Sequence, residues 1–359
     1  MKSQVEIRIG NRLIGSSQPS YFIADIASNH DGDLDRAKEL IQLAKLAGAD
    51  CAKFQHFKAS KIVSDHGFKK LGSAQSHQAS WNKSVYQVYE QYELNRAWNS
   101  ELAKTAIEAG IDFMTTPYDT EAVDSVDPLV MAWKIGSGDI TYISLIEYVA
   151  RTKKPVMIAS GASAMDDVER AMNAILPINK EVVLMQCNTN YTGSIENFKY
   201  INLNVLRSYQ NKYPQVILGL SDHSPGHASV LGAIALGARV IEKHFTDDTT
   251  RSGPDHDFSM SPSTWNDMVM RSRELEAALG DGNKKVEDNE LQTAVLQQRC
   301  LRAKKQLPAG HVITLNDLEA LRPAAAGAYK PFHLNEVVGK KLKISLELGD
   351  ALMFTDIEN

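Results

Sequence analysis

At 359 residues the chain is long enough for two domains, or for one large domain with an appendage. Its 43% hydrophobic and 23% charged residues can build a full core, which excludes a disordered polymer. A formal charge of −5, from 39 Lys and Arg against 44 Asp and Glu, excludes a nucleic-acid binder, which needs a basic surface to displace counterions. It leaves room for a local basic pocket.

The first residues, MKSQVEIRIGNRLIG, lack the apolar core of a secretory signal and read as a hairpin turning at Gly10-Asn11. From about residue 20, short apolar runs alternate with longer amphipathic ones. The runs at 21–26, 50–55, 111–115, 131–135, 155–159, 182–186, 216–220 and 239–243 predict eight strands. Between them, helical periodicity marks 34–47, 95–109, 165–175 and 228–236. Strands that are apolar on both faces, alternating with helices, mean a parallel sheet covered by helices, and eight βα units predict a (β/α)8 TIM barrel. No Gly-x-Gly-x-x-Gly follows the first strand, against a dinucleotide-binding sheet. Residues 58–93 form a long insertion holding Trp81, Tyr86, Tyr89 and Tyr92.

The last barrel helix is expected at Pro262–Leu279, with Ser261 as N-cap and a Gly-Asp-Gly-Asn stop. The barrel domain, with its hairpin, is thus set at 1–282, a charged linker at 283–296, and a small β-rich domain at 297–359. In that last part KKQLPAGHVITLNDLE and KISLELGDALMFTDIE match at Lys, Leu, Gly, Asp and Glu with a fixed offset. The echo predicts pseudo-symmetry, with Gly310 and Gly349 at equivalent turns. Three widely spaced cysteines, Cys51, Cys187 and Cys300, point to free thiols in a reducing cytoplasm. The most apolar stretch, 230–241, is too short for a bilayer and carries Arg239, so no membrane association is expected.

Barrel active sites sit at the carboxyl ends of the strands. Here every predicted strand leads into polar groups there, among them Asp25, Gln55, Thr116, Ser137, Asp139, Asn188, Ser221 and Asp222. Lys53 and Lys134 lie within otherwise apolar strands. A lysine aimed into a barrel is costly unless an anion meets it, and two of them beside Thr116 and Ser137 suit a phosphorylated carboxylate. His223 and His244 end adjacent strands and can converge on one divalent ion, leaving positions open for water and substrate. Strand alternation puts Glu242 on the same face as His244, to orient that ligand or balance a lysine. The loop Arg251-Ser-Gly-Pro-Asp255-His256-Asp257 follows the last strand over the barrel mouth, placed for a polyhydroxylated ligand.

With these residues in view, the sequence resembles the sialic acid synthase (N-acetylneuraminate synthase) family, including legionaminic and pseudaminic acid synthases. The motifs are FIADIASNHDGDL, GADCAKFQ, TTPYD, WKIGSGD, QCNTNY, GLSDHSPG, EKHFTDD and GPDHDFSM, and the tail resembles the family's antifreeze-like (SAF) domain. The resemblance implies condensation of phosphoenolpyruvate with an N-acetylated hexosamine-type aldose, giving a nine-carbon 2-keto sugar acid and phosphate. It implies that Lys53, Thr116, Lys134 and Ser137 hold phosphoenolpyruvate, and that His223 and His244 hold Mn2+ or Mg2+. Gln55, Tyr191 and Asp255 are implied to meet the sugar. Ser221, Asn188, Asp139 and His256 complete the expected substrate site, and Asp25 is expected to orient or deprotonate water. A cytoplasmic, domain-swapped homodimer is also implied, with Arg322 of one copy reaching the other's sugar site. Asp25 and Asp139 stand where the family usually has Glu, and Thr189 falls at a usual Asn. These departures imply a differently substituted acceptor, such as a diacetamido-trideoxyhexose. The alternative reading is another phosphoenolpyruvate-dependent aldol synthase that takes a phosphorylated aldose.

Overall fold

Eight parallel strands close on themselves in the first of two units, Met1–Gly280; the second unit is Asp281–Asn359. The computed structural model of the chain describes residues 5–71, 78 and 81–358. The barrel is preceded by a hairpin, β1 (Glu6–Ile9) and β2 (Arg12–Gly15), paired antiparallel about Gly10, whose φ of 53° suits glycine. The barrel strands are β3 (Tyr21–Asp25), β4 (Cys51–His56), β5 (Asp112–Pro117), β6 (Trp133–Ile135), β7 (Val156–Ala159), β8 (Val182–Cys187), β9 (Ile217–Asp222) and β10 (Val240–His244). They pair in chain order, and β10 closes the ring between β9 and β3.

All eight predicted strands are present, most with ends moved by one or two residues. β9 and β10 run on through Asp222 and His244: Ser221, Glu242 and His244 take the inward face, while Asp222 turns outward, where its carboxylate accepts from Lys243 Nζ at 2.5 Å and from the Ser229 hydroxyl at 2.6 Å, so these polar residues continue the strands. Alternation sorts the side chains by period two. Phe22, Ala24, Ala52 and Phe54 pack outward against the helices. Tyr21, Ile23, Cys51, Met114, Met157 and Val183 face inward near the strand starts, where they join Ile7, Ile9 and Ile14 of the hairpin in one buried cluster. The amino-terminal end of the barrel is therefore sealed with apolar side chains. Two residues further along the same inward faces the polarity inverts, giving Asp25, Lys53, Lys134, Ser221 and Glu242.

The expected 95–109 helix opens as a 3-10 turn, Arg96–Trp98, before the α-helix Asn99–Ala109. The 58–93 insertion contains the short helices Ala59–Ile62, Asp65–Lys70 and Val85–Gln91; residues 72–77, 79 and 80 lie outside the described residues. Ser84 and Gln87 form a reciprocal capping box that fixes the start of Val85–Gln91. The helix Pro262–Leu279 starts as predicted, with Ser261 accepting from the Thr264 amide. No helix among the described residues is long and apolar enough to cross a membrane.

In the second unit β11 (Cys300–Ala303) pairs with β12 (Leu318–Leu321). Its two halves repeat one turn. Asp317 accepts from the Thr314 amide and Asp356 from the Met353 amide, each at 2.8 Å. Gly310 and Gly349 hold φ of 82° and 86°, and the equivalent Leu307 and Leu346 pair with each other across the repeat. The sequence echo is thus a structural one. Leu301, Leu307, Leu346 and Leu352 belong to its core.

Candidate active site

The inward polar layer of the barrel is a set of paired opposite charges. Lys53 Nζ donates to Asp25 Oδ2 at 2.7 Å and to Thr116 Oγ1 at 3.2 Å. Lys134 Nζ donates to Glu242 Oε1 at 2.5 Å, and Ser221 Oγ donates to the same oxygen at 3.1 Å. Lys53 also lies 4.0 Å from Glu242 Oε2. All four charged residues are no more than 4% exposed. The lysines therefore point inward, and what first meets each is a carboxylate of the protein itself. Burial alone would raise Asp25 and Glu242. For Asp25 the field of Lys53, His244 and Lys134 outweighs it, and for Glu242 that of Lys134 and Lys53, so both stay below the ordinary carboxylate range.

His223 and His244 come together at the end of β9 and β10, with ring centroids 5.4 Å apart. His223 Nδ1 is 3.1 Å from the Asn188 carbonyl, which leaves Nε2 as the ring nitrogen with a free lone pair. His244 Nε2 lies 3.6 Å from Asp25 Oδ2, while its Nδ1 is buried without a hydrogen-bond partner. An unmatched buried imidazole nitrogen beside a second imidazole fits a metal ligand pair. Among the described residues no group of three or more His, Cys, Asp and Glu is arranged to hold an ion, so a metal here would rest on these two imidazoles with water and substrate. Tyr191 stacks edge-on against His223 at 4.4 Å, and Phe258 against His244 at 4.9 Å.

Above this layer opens a cavity of about 340 Å³. Of the predicted residues, Gln55, Ser137, Asp139, Tyr191, His244 and Asp255 line it. Lys53, Thr116, Lys134 and Ser221 are buried deeper, one residue or more before the strand ends. Gln55 links the two levels, donating to Asp25 at 3.2 Å and accepting from the Tyr118 hydroxyl at 3.4 Å. Ser137 Oγ accepts from the Gly161 amide at 3.0 Å. That approach requires glycine, since a Cβ on residue 161 would fall 2.9 Å from Ser137 Oγ and far inside contact with Thr189. Burial pushes the Asp139 carboxyl up to about 6. Asp255 Oδ2 accepts from the Ser28 amide at 3.1 Å.

His256, expected at the substrate site, is set behind the cavity wall. It is fully buried, with one ring nitrogen on Thr246 and the other on Asp31 in the loop after β3, so it braces the cavity wall and does not line the cavity. Arg322 is exposed in the second unit, directly after β12. Sequence reading missed Cys187, whose Sγ sits 3.9 Å from His223 Nδ1, and Tyr118, a cavity-lining residue. The signal for Tyr118 was its place in TTPYD at the end of a strand. For Cys187 the alternation of β8 was sufficient, since it falls inward with Val183 and Met185.

Comparison with known proteins accounts for both units. The NeuB family model matches residues 40–284, and the SAF domain model matches residues 298–358. Over 350 residues the chain is 35% identical to the N,N'-diacetyllegionaminic acid synthase of Legionella pneumophila, covering 96% of each. It is 33% identical over 349 residues to the N-acetylneuraminate-9-phosphate synthase of Homo sapiens, covering 97% of this chain and 95% of that one. The crystal structure of the N-acetylneuraminic acid synthetase of Leptospira borgpetersenii, in complex with citrate, matches with a TM-score of 0.70 at 27% identity, over 82% of this chain and 96% of that one. The chain belongs to the NeuB family and carries a SAF domain as its carboxyl-terminal unit.

Proposed function

We propose that this chain is a nonulosonic acid synthase, joining phosphoenolpyruvate to an N-acetylated hexosamine-type aldose to give a nine-carbon 2-keto sugar acid and inorganic phosphate. Its relatives are named as synthases of such acids. The observation that carries the reading is the pair of buried lysines, Lys53 and Lys134, set beneath a cavity that is otherwise free of cations among its described lining residues. Two ammonium groups at that depth, each now paired with a carboxylate of the chain, are suited to a small phosphorylated carboxylate, and the mouth above them suits a neutral polyol.

In the proposed reaction C3 of phosphoenolpyruvate forms a bond to the aldehyde carbon of the open-chain sugar, whose oxygen takes up a proton. The resulting cationic C2 is met by water, which loses a proton. The C2–O bond to phosphorus then breaks, phosphate leaves with the bridging oxygen, and the remaining hydroxyl becomes the ketone. Lys53 and Lys134, helped by Thr116 and Ser137, hold the phosphate and carboxylate. Asp25, kept ionised by Lys53, is suited to orienting the water. Asp139, with its carboxyl near 6, is suited to exchanging a proton at neutral pH. A divalent ion such as Mn2+ or Mg2+ on His223 and His244 would supply Lewis-acid polarisation of the aldehyde.

The homodimer belongs to the same proposal, with Arg322 serving a second copy's sugar site. Its support is that the side chain stands exposed just past β12. Mixing an Arg322→Ala chain with a Lys53→Ala chain then restores activity in the heterodimer. The chemistry itself is tested with phosphoenolpyruvate carrying oxygen-18 at the bridging position. The label leaves with phosphate if the reading is right, and its recovery in the keto acid overturns it.

A further inference from the structure

The loop that follows the last barrel strand is locked to the loop that follows the first. The lock is centred on Asp31, a non-glycine residue at φ 54° in the left-handed region. Its carboxylate takes the Nε2 proton of His256 at 3.0 Å on one oxygen. On the other it meets Arg36 at 3.1 Å and Arg251 at 3.0 Å. With Nε2 donating, His256 Nδ1 accepts from the Thr246 hydroxyl at 2.8 Å. Gly253 passes so close to the imidazole that a Cβ there would lie 2.6 Å from the ring. A second set of contacts runs beside the first. Asn29 Nδ2 donates to Ser259 Oγ at 2.9 Å, Ser259 Oγ donates to the Asp255 carbonyl at 2.5 Å, and the Ser28 amide donates to Asp255 Oδ2. Between these two sets stands Asp255, whose side chain lines the cavity.

We propose that Asp31 and His256 form a clasp across the seam between β3 and β10 that positions Asp255 for the acceptor sugar. The inference rests on the functional reading above. Neither clasp residue lines the cavity, so both act through Asp255 and are positioning residues. The phosphoenolpyruvate layer is built from Lys53, Thr116, Lys134 and Glu242, none of which touches the clasp. Loosening the clasp therefore affects the acceptor and spares phosphoenolpyruvate. A displacement of about 1 Å at a substrate-positioning group costs up to about 100-fold, so a tenfold or larger effect is expected.

The test uses the metal-loaded full chain with phosphoenolpyruvate and N-acetylmannosamine or a diacetamido-trideoxyhexose, whichever turns over. His256→Asn keeps a group at the Nδ1 position but loses the reach to Asp31; His256→Gln keeps that reach. The expected result is a rise of tenfold or more in the acceptor KM for His256→Asn, a phosphoenolpyruvate KM within about twofold of the parent, and recovery in His256→Gln. Asp31→Ala gives the same split, and adding His256→Asn to it makes matters no worse, because Asp31→Ala has already opened the contact that His256→Asn removes. Hydrogen exchange at residues 251–259 speeds up in the same variants. Equal loss for both substrates, or an unchanged acceptor KM, overturns the clasp. If His256→Asn does not fold, the partly exposed Asp31→Ala carries the same comparison. A parent chain that releases phosphate with no acceptor at all overturns the functional reading, and the exchange measurement then still decides whether the clasp holds the loop.

Discussion

Lys134 and Glu242 stand on diametrically opposite strands of the barrel, β6 and β10, yet their charged atoms are 2.5 Å apart across its interior. With Lys53 and Asp25 they make a buried quartet of two positive and two negative groups. The quartet is neutral before substrate arrives, which is how two lysines can be buried without a bound anion. Removing one partner of such a pair leaves an uncompensated charge, at a cost of about 3–5 kcal/mol.

Glu242→Gln keeps the shape and removes the charge. The variant is expected to unfold at a lower temperature than the parent by an amount equivalent to about 3 kcal/mol. Lys134 then lacks its partner, and an anion can take that place. Phosphoenolpyruvate should therefore raise the melting temperature of Glu242→Gln by more than it raises that of the parent, in paired thermal scans. An equal ligand shift in the two proteins would show that Lys134 is not part of the anion site.

Asp139 gives a pH signature with a definite sign. No ion pair to it is present among the described residues, and burial raises its carboxyl to about 6 in the folded chain. Below the unfolded value of 3.8 the group is neutral in both states and costs nothing. As pH rises through 6 the unfolded chain gives up its proton first, so the folded chain loses relative stability, and the loss is complete above 6. Asp139→Asn does not titrate. The variant should gain on the parent by about 2 kcal/mol between pH 4 and pH 7.5, partial exposure having trimmed the full value. Urea unfolding of both proteins at the two pH values measures this, and a gap that stays constant would mean the carboxyl is not perturbed.

The barrel was legible in the sequence because its signals are periodic. The outward faces of β3 to β10 and the helices between them are apolar at fixed spacings, and the hairpin turn and the Ser261 cap have local chemistry of their own. Lys53, Lys134, His223 and His244 were legible for a related reason: a charged or coordinating group interrupts an apolar run. What the sequence did not disclose is pairing across distance. Alternation offered Glu242 as the balance for an interior lysine, but nothing near Lys134, 108 residues away, says that it is the one. Likewise His256 reads as a loop residue open to substrate until the 3.0 Å contact to Asp31, 225 residues earlier, is seen. Alternation along β8 would have turned Cys187 inward, but a single thiol among apolar residues raises no local alarm.

The histidine pair makes a prediction about metal binding that does not depend on turnover. His223 has Nε2 left over once Nδ1 is committed to the Asn188 carbonyl, and His244 has an unmatched Nδ1. With only two imidazoles supplied by the protein, neither can be lost cheaply. After dialysis against a chelator, titration calorimetry with Mn2+ should show one site per chain, weakened at least tenfold in His223→Ala and in His244→Ala. Phosphate release by the parent should stop on chelation and return on adding Mn2+ or Mg2+. Parent-like Mn2+ affinity in both variants would move the site away from these residues.

The cavity mouth separates the two acceptor classes that the reaction could use. Its described lining contains two carboxylates, Asp139 and Asp255, and no Lys or Arg. The nearby cations are already matched: Arg251 by Asp31, Arg36 by Asp247 and Arg96 by Asp119. One wall is aromatic, with Phe57 packed at 5.3 Å against Tyr89 and at 5.8 Å against Tyr118. A sugar phosphate entering here would set a dianion beside two carboxylates with no Lys or Arg among the described lining residues to receive it. An acetamido or deoxy methyl would instead gain apolar contact, roughly fourfold in affinity for each methyl buried. The expected order of kcat/KM is a diacetamido-trideoxyhexose first, N-acetylmannosamine next, and N-acetylmannosamine 6-phosphate at least tenfold lower. Tyr92→Lys, on the half-buried cavity wall, should lift the phosphorylated sugar selectively. If the 6-phosphate is the best substrate of the unaltered enzyme, its phosphate must be received by a cation from outside this lining. Arg322 of a second copy is then the first residue to substitute.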